Sequence, residues 1–302
     1  MRGVLVYAKA KRNEGLNYSQ MSSPEHVYVS HVDGSNPRLL GAGEVPAVSP
    51  DGRWVAFARG SKFLVMPTAG GAPRAVYALH RGQPSPAGAP VWAPDSRRFA
   101  VVDSVGLALV DPRTGKSNLL PLTDDFAFSP DSRRVVYEAD GDLYVVPARG
   151  GKPLRLTDDH KSFGPVWGKA GIAFVHFTHD AHGDIWLSNG SPRHARQVTH
   201  TGAGFWPAFF AADGTKLLAA NPANHNGRLW AVNVRRGTAR PLTSWVGDLY
   251  PQGLSRNGKT VLAAVGCGGI PSPYGYVETI PFAGGAPHVI VHGPCRASWN
   301  AR

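Results

Sequence analysis

Short apolar runs along this chain are separated by polar turns, and one combination of the two recurs. Its fullest copy is Ser49-Pro50-Asp51-Gly52-Arg53-Trp54-Val55-Ala56-Phe57-Ala58. It returns as Ala93-Pro94-Asp95-Ser96-Arg97-Arg98-Phe99-Ala100 and as Ser129-Pro130-Asp131-Ser132-Arg133-Arg134-Val135-Val136. Weaker copies begin at Gly168, Ala211 and Ser255. Proline sets φ for the first turn position, aspartate bonds back to its own backbone, and glycine supplies the positive φ. The unit therefore predicts a hairpin. A short strand with one bulky residue precedes each turn (Val48, Trp92, Phe128, Trp167, Phe210, Leu254). A third apolar strand follows, as in Leu143-Tyr144-Val145-Val146 and Leu229-Trp230-Ala231-Val232. A Gly-rich turn then leads to a fourth strand expected to end in Leu156-Thr157, Val198-Thr199 or Leu242-Thr243. Four antiparallel strands recurring every ~36–46 residues are the pattern of a propeller blade.

The two ends set the count. The N-terminal unit lacks an innermost strand and starts with the second, Gly3 to Ala8; the C-terminus carries an orphan first strand, Arg296 to Asn300, whose Trp299 matches Trp92 and Trp167. Joined, they complete one blade and remove two unpaired sheet edges. The expectation is a single all-β domain over 1–302, a seven-bladed β-propeller of four-stranded antiparallel blades closed by the C-terminal strand joining the N-terminal blade. Its blades are placed at 1–40 plus 296–302, 45–80, 89–122, 125–157, 164–199, 206–243 and 250–291.

These units resemble the WD40-like (PD40) repeats of the TolB propeller and of the propeller domains of prolyl-oligopeptidase-type enzymes. The resemblance runs along nearly the whole chain and implies fold more than function, because the repeat is scaffolding. Seven blades are counted where TolB has six, and no α/β domain precedes them. No Gly-x-Ser-x-Gly elbow is present, so the peptidase chemistry does not carry over. Oligogalacturonate lyases are also seven-bladed propellers with related repeats, and use a histidine-bound metal in the channel mouth.

Composition narrows the classes. Gly 36 and Pro 26 suit many strands and tight turns, and 42% apolar residues with eight tryptophans exclude a disordered chain. No stretch approaches the ~18–20 apolar residues of a membrane span. The formal charge of +11 comes from arginines scattered over turns and strands rather than from a run. With no aromatic–basic module of a known reader, nucleic acid is not expected; a protein or glycan partner and a monomer are. Met1-Arg2-Gly3 runs straight into a strand, which fits either a cytoplasmic protein or one exported, periplasmic or extracellular, with its leader outside this sequence. The exported reading is the one taken, because a disulfide between the two cysteines would require an oxidising compartment. Cys267 and Cys295 fall near the closing joint on adjacent blades, which makes a disulfide there one reading and two buried thiols the other.

Propeller geometry places the second-to-third-strand loops and the inter-blade links around the mouth of the channel. Candidate ligand-binding residues there are His80, His160, His200, Trp206, Trp245, Tyr250 and His292. The aromatics Phe163, Phe205, Trp206, Trp245 and Tyr250 are expected in the links, as plugs between blades or as a binding rim. The segment His176-Phe177-Thr178-His179-Asp180-Ala181-His182-Gly183-Asp184, imidazoles with carboxylates between them, together with His225 from the next blade, offers candidate ligands for a divalent metal ion, or is a plain polar loop. Asp124, Asp125, Asp158, Asp159 and Asp248 either cap backbone amides or hold calcium. The loop from Lys9 to Pro24 is a partner flap or an insertion. The leading functional reading is a binding propeller without catalysis. The alternative is a metal-dependent polysaccharide lyase, for which His200 could serve as base and Arg81 as the cation on the substrate carboxylate.

Overall fold

The computed structural model describes residues 3–9, 25–80, 82–121, 123, 125–178, 183–221, 228–243, 249–255, 257–265, 275–293 and 296–300. Among them are strands and turns and no helix, hence no helix long and apolar enough to cross a membrane. Seven four-stranded antiparallel sheets make the fold a seven-bladed β-propeller.

Blade 1 consists of β1 (Val4–Lys9), β2 (His26–His31), β3 (Arg38–Ala42) and, innermost, β28 (Arg296–Trp299). Blade 2 holds β4 (Glu44–Val48), β5 (Trp54–Arg59), β6 (Lys62–Pro67) and β7 (Arg74–Ala78). Blade 3 holds β8 (Val91–Trp92), β9 (Phe99–Asp103), β10 (Gly106–Val110) and β11 (Ser117–Leu120). Blade 4 holds β12 (Phe126–Phe128), β13 (Arg134–Ala139), β14 (Asp142–Pro147) and β15 (Leu154–Arg155). Blade 5 holds β16 (Ser162–Gly168), β17 (Gly171–Phe177), β18 (Gly183–Ser188) and β19 (Ala195–Gln197). Blade 6 holds β20 (Trp206–Phe210), β21 (Lys216–Asn221), β22 (Arg228–Asn233) and β23 (Ala239–Pro241). Blade 7 holds β24 (Leu249–Leu254), β25 (Thr260–Val265), β26 (Tyr276–Pro281) and β27 (His288–His292).

The repeated hairpin forms by the chemistry its residues dictate. The Ser49 hydroxyl donates to Asp51 (2.6 Å) and accepts the Trp54 amide (3.0 Å), while the Asp51 carboxylate also accepts the Arg53 amide (3.0 Å). The fourth turn position is left-handed, with φ of 76° at Gly52; Ser96 and Ser132 hold 60° at the matching places. The first strands share another device. Pro46, Pro165 and Pro207 sit where their ladders shift register, between Glu44 and Ala47, between Phe163 and Val166, and between Pro207 and Phe209. A residue without an N–H is tolerated in a sheet at such a bulge.

The chain divides into two compact units. The first comprises Met1–Leu119, Leu262–Thr279 and His288–Arg302, the second Leu120–Val261 and Ile280–Pro287. In the first unit, Val45, Phe63, Trp92 and Phe99 pack in one buried cluster, with the Phe99 ring 5.2 Å from that of Trp92. The closing joint lies in this unit. β28 pairs with β1 in the register Leu5↔Trp299, Val6↔Ser298, Tyr7↔Ala297, and Trp299, Leu5, Tyr7, Leu262 and Val277 share a core. Asn300 completes the seam, its side-chain oxygen accepting the Val4 amide at 2.8 Å. In the second unit, Leu143, Leu156, Ile172 and Phe174 form one core and Ile185, Phe205, Leu217 and Val232 another.

Two expectations are corrected. Leu156-Thr157, Val198-Thr199 and Leu242-Thr243 do not end the fourth strands; they follow β15, β19 and β23 and open the links. Of the aromatics expected in links, Phe163, Trp206 and Tyr250 lie in the first strands β16, β20 and β24; in β16 and β20 the strand begins ahead of the proline bulge.

Candidate functional site

The links rest on buried aspartates. In blade 4, Asp140 and Gly141 turn the chain with positive φ (54° and 77°) and present Asp142 at the start of β14, its side chain fully buried. Its carboxylate accepts from Arg155 Nη2 (2.6 Å), Thr157 Oγ1 (3.0 Å) and the amides of Asp159 (3.1 Å) and His160 (3.3 Å). Burial pushes this carboxyl up, but the bonds from Arg155, the His160 amide and Thr157 outweigh it, and it settles below the ordinary aspartate range. His160 Nδ1 lies 3.2 Å from Asp142 Oδ2 and 2.7 Å from the Asp140 carbonyl. The link passes so close that a Cβ on Gly141 would stand 2.5 Å from the His160 carbonyl oxygen, which is why glycine is required there.

Blade 5 repeats the clamp. Asp184 accepts from Thr199 Oγ1 (2.7 Å), Gln197 Nε2 (3.1 Å) and the amides of Thr201 (2.9 Å) and Gly202 (3.3 Å). The threonine hydroxyl also accepts the amide that follows each aspartate, from Leu143 and from Ile185, both at 2.9 Å. Blade 3 reaches the same end from another strand. Asp103, closing β9 with its side chain fully buried, accepts from Tyr77 Oη (2.5 Å), the His80 amide (3.2 Å) and Ser104 Oγ (3.2 Å), and meets His80 Nδ1 at 2.9 Å. Burial raises the Asp103 carboxyl, and the bonds from His80 and Tyr77 bring it below its usual value; burial and the bond to Asp103 drive the Tyr77 hydroxyl strongly upward.

The expected site residues are placed as follows. The His80 and His160 side chains are 49% and 67% exposed; His80 is fixed through Nδ1 on the buried Asp103 carboxylate, and His160 through Nδ1 on the Asp140 carbonyl, with the buried Asp142 carboxylate 3.2 Å away. His200 is exposed in the link after Thr199. Trp206 is half-buried with its ring 6.0 Å from that of Phe177, Tyr250 is exposed in β24, and His292 ends β27 with its ring 6.2 Å from that of Tyr276. His176 points its Nε2 at Asp159 (3.5 Å) and packs its ring 4.9 Å from Trp186. His179, His182, His225, Trp245, Arg81, Asp124, Asp248, Cys267 and Cys295, with most of the first loop, lie outside the described residues. Among the described residues no group of three or more His, Cys, Asp or Glu side chains is arranged for a metal. Of the link aspartates, Asp159 accepts the Lys161 amide (3.3 Å) and Asp158 pairs with Arg193 (2.6 Å).

Asp103 and Asp142 are absent from the expected site, and Asp184 is expected only as the end of the 176–184 segment, not as a clamp on the next link. A signal for two of them was available, since Gly-Asp at the third strand is followed by threonine fifteen residues on in both blades. Also unexpected is a pocket of about 480 Å³ in the first unit, lined by Gly3, His31, Asp33, Thr279, His288 and Ile290.

No family model and no curated protein matches the chain. Solved structures do. TolB from Acinetobacter baumannii is 16% identical with a TM-score of 0.60, covering 99% of this chain and 83% of its own. The β-propeller domain of the Trilobed protease from Pyrococcus furiosus is 13% identical with a TM-score of 0.67, covering 96% and 92%. An oligogalacturonate lyase in complex with manganese is 13% identical with a TM-score of 0.60, covering 96% and 86%. At such identities the likeness concerns the backbone alone: this chain has the fold of the TolB-like propellers.

Proposed function

We propose that the protein is a binding propeller that presents the link ends of its blades to a protein or glycan. The observation that carries this reading is the pairing of an exposed imidazole with a buried carboxylate at His80–Asp103 and His160–Asp142. Such a ring has its orientation set before a partner arrives, so ordering it costs little on binding. Nδ1 is engaged, which leaves Nε2 to meet a sugar hydroxyl or a polar side chain. Export belongs to the same reading, supported by the TolB-like fold; intact mass with and without reductant tests for a Cys267–Cys295 disulfide. The test of binding is a glycan array and titration calorimetry with the ligands found. His80→Ala and His160→Ala are expected to weaken binding about thirtyfold together, at roughly 1 kcal/mol per lost hydrogen bond. Binding untouched by both changes removes the link ends from consideration.

A second reading is a polysaccharide lyase. Its support is the same carboxylate–imidazole pairing, which is also how a general base is held, together with the likeness to a manganese-containing oligogalacturonate lyase. The described residues do not by themselves assemble a metal site, so no step is routed through one. Appearance of unsaturated product from pectic oligosaccharides with added manganese, lost in His80→Ala or His160→Ala, would establish it in place of the first.

A further inference from the structure

Blade 6 breaks the pattern that blades 4 and 5 share. The residue equivalent to Asp142 and Asp184 is Arg228, the first of β22, whereas the threonine fifteen positions on is kept as Thr243. In the sister blades that hydroxyl donates to the aspartate. The Thr243 hydroxyl oxygen is shielded from solvent and has no hydrogen-bond partner among the described residues. Arg228, half-buried and facing Asn221 across the ladder, forms no ion pair with a described carboxylate. A buried hydroxyl without a partner is rare because its lost hydration goes uncompensated.

Blade 4 shows what such a threonine accepts when a cation stands beside it: Thr157 and Arg155 grip one carboxylate from two sides, at 3.0 and 2.6 Å. Blade 6 has the hydroxyl and a guanidinium, and replaces the carboxylate-bearing residue by that guanidinium. We propose that Arg228 and Thr243 form a binding site for the carboxylate of a small organic acid. One ligand oxygen takes the hydrogen bond of Thr243 Oγ1, and Arg228 neutralises the charge, as a guanidinium does well for a carboxylate. This goes beyond the binding role proposed above and does not depend on His80 or His160.

The test is thermal shift and calorimetry on the full chain with sodium acetate, D-galacturonate and N-acetylglutamate, against glucose and NaCl at matched ionic strength. The acids are expected to raise the melting temperature beyond the NaCl control, and glucose is not. Preference for galacturonate assigns a sugar acid, preference for N-acetylglutamate an amino-acid-derived one. Arg228→Gln and Thr243→Val should each loosen the acid about tenfold or more, the loss of a charge-assisted hydrogen bond. Arg228→Asp, which restores the sister-blade residue, should raise the melting temperature without ligand and abolish the response. An acid response no greater than that to NaCl, a full response in Arg228→Gln, or a lower melting temperature for Arg228→Asp overturns the proposal.

Discussion

Asp142 and Glu278 are both buried acids, and their surroundings give them opposite consequences. Asp142 lies among donors that hold its folded-state carboxyl below the ordinary value. Its stabilisation is therefore complete above the unfolded value near ~4 and is lost as pH falls through the folded one. Asp142→Asn should lower stability at neutral pH by about 1–3 kcal/mol, the cost of buried donors losing an acceptor. Denaturant titrations from neutral to acid should show the variant losing less on acidification than the wild type. Glu278, only 5% exposed in β26, stands where Trp186 and Trp230 stand in their strands, and burial raises its carboxyl. A raised acid favours folding when protonated, so the ionised form costs stability above the folded value. Glu278→Gln is expected to stabilise the protein at neutral to alkaline pH by about 1–3 kcal/mol, the range for a polar group buried without full compensation. The gain should vanish in acid; a gain independent of pH would contradict the ionisation argument.

Within one blade, the hairpin turn and the outgoing link act as a single object. The Gly141 carbonyl accepts the Ser162 amide at 2.8 Å, and a side chain on its Cα would run into the His160 carbonyl. Gly141→Ala should cost more than the ~1–2 kcal/mol of left-handed strain, because the methyl displaces backbone and with it the link amides on Asp142. Gly60, at φ 56° with open space for 4 Å around the place a methyl would take, is the matched control and should cost that strain alone. Equal melting temperatures for the two alanine variants would sever the turn from the clamp. Blade structure itself was legible in the residue order, since Ser-Pro-Asp-Gly and period-two apolar strands are local signals. The ends of the fourth strands were not. Leu-Thr reads as strand by composition, yet Thr157 and Thr199 leave the ladder to serve Asp142 and Asp184.

At the scale of the whole molecule, closure depends on β28. Trp299 is 9% exposed in the core it shares with Leu5 and Tyr7, although its indole N–H has no hydrogen-bond partner among the described residues. Trp92 in the corresponding position of blade 3 donates to the Ala47 carbonyl at 3.0 Å. Trp299→Ala should therefore cost the ~3–5 kcal/mol of a large core truncation, and Trp299→Phe much less, since no hydrogen bond is lost. Calorimetric unfolding checks both. If Trp299→Ala melts with the wild type, the terminal strand does not hold the joint. The net charge of +11 predicts partner affinity that falls with salt if the partner is acidic, but it has no part in choosing the fold.

The residue order by itself determined the strands, the turns, the count of seven and the terminal strand that finds the N-terminal blade, because each follows from periodicity, turn stereochemistry or an unpaired edge. It also picked out His80 and His160 as polar residues in links. Only the tertiary structure decided what those histidines rest on, since Asp103 and Asp142 meet them across separate strands and links; the Gly-Asp with threonine fifteen residues on marks the Asp142 clamp in the residue order without showing its histidine. The same holds for blade 6: Arg228 and Thr243 are ordinary residues in one dimension, and become a carboxylate-seeking pair only beside two folded sisters that show what the threonine is for.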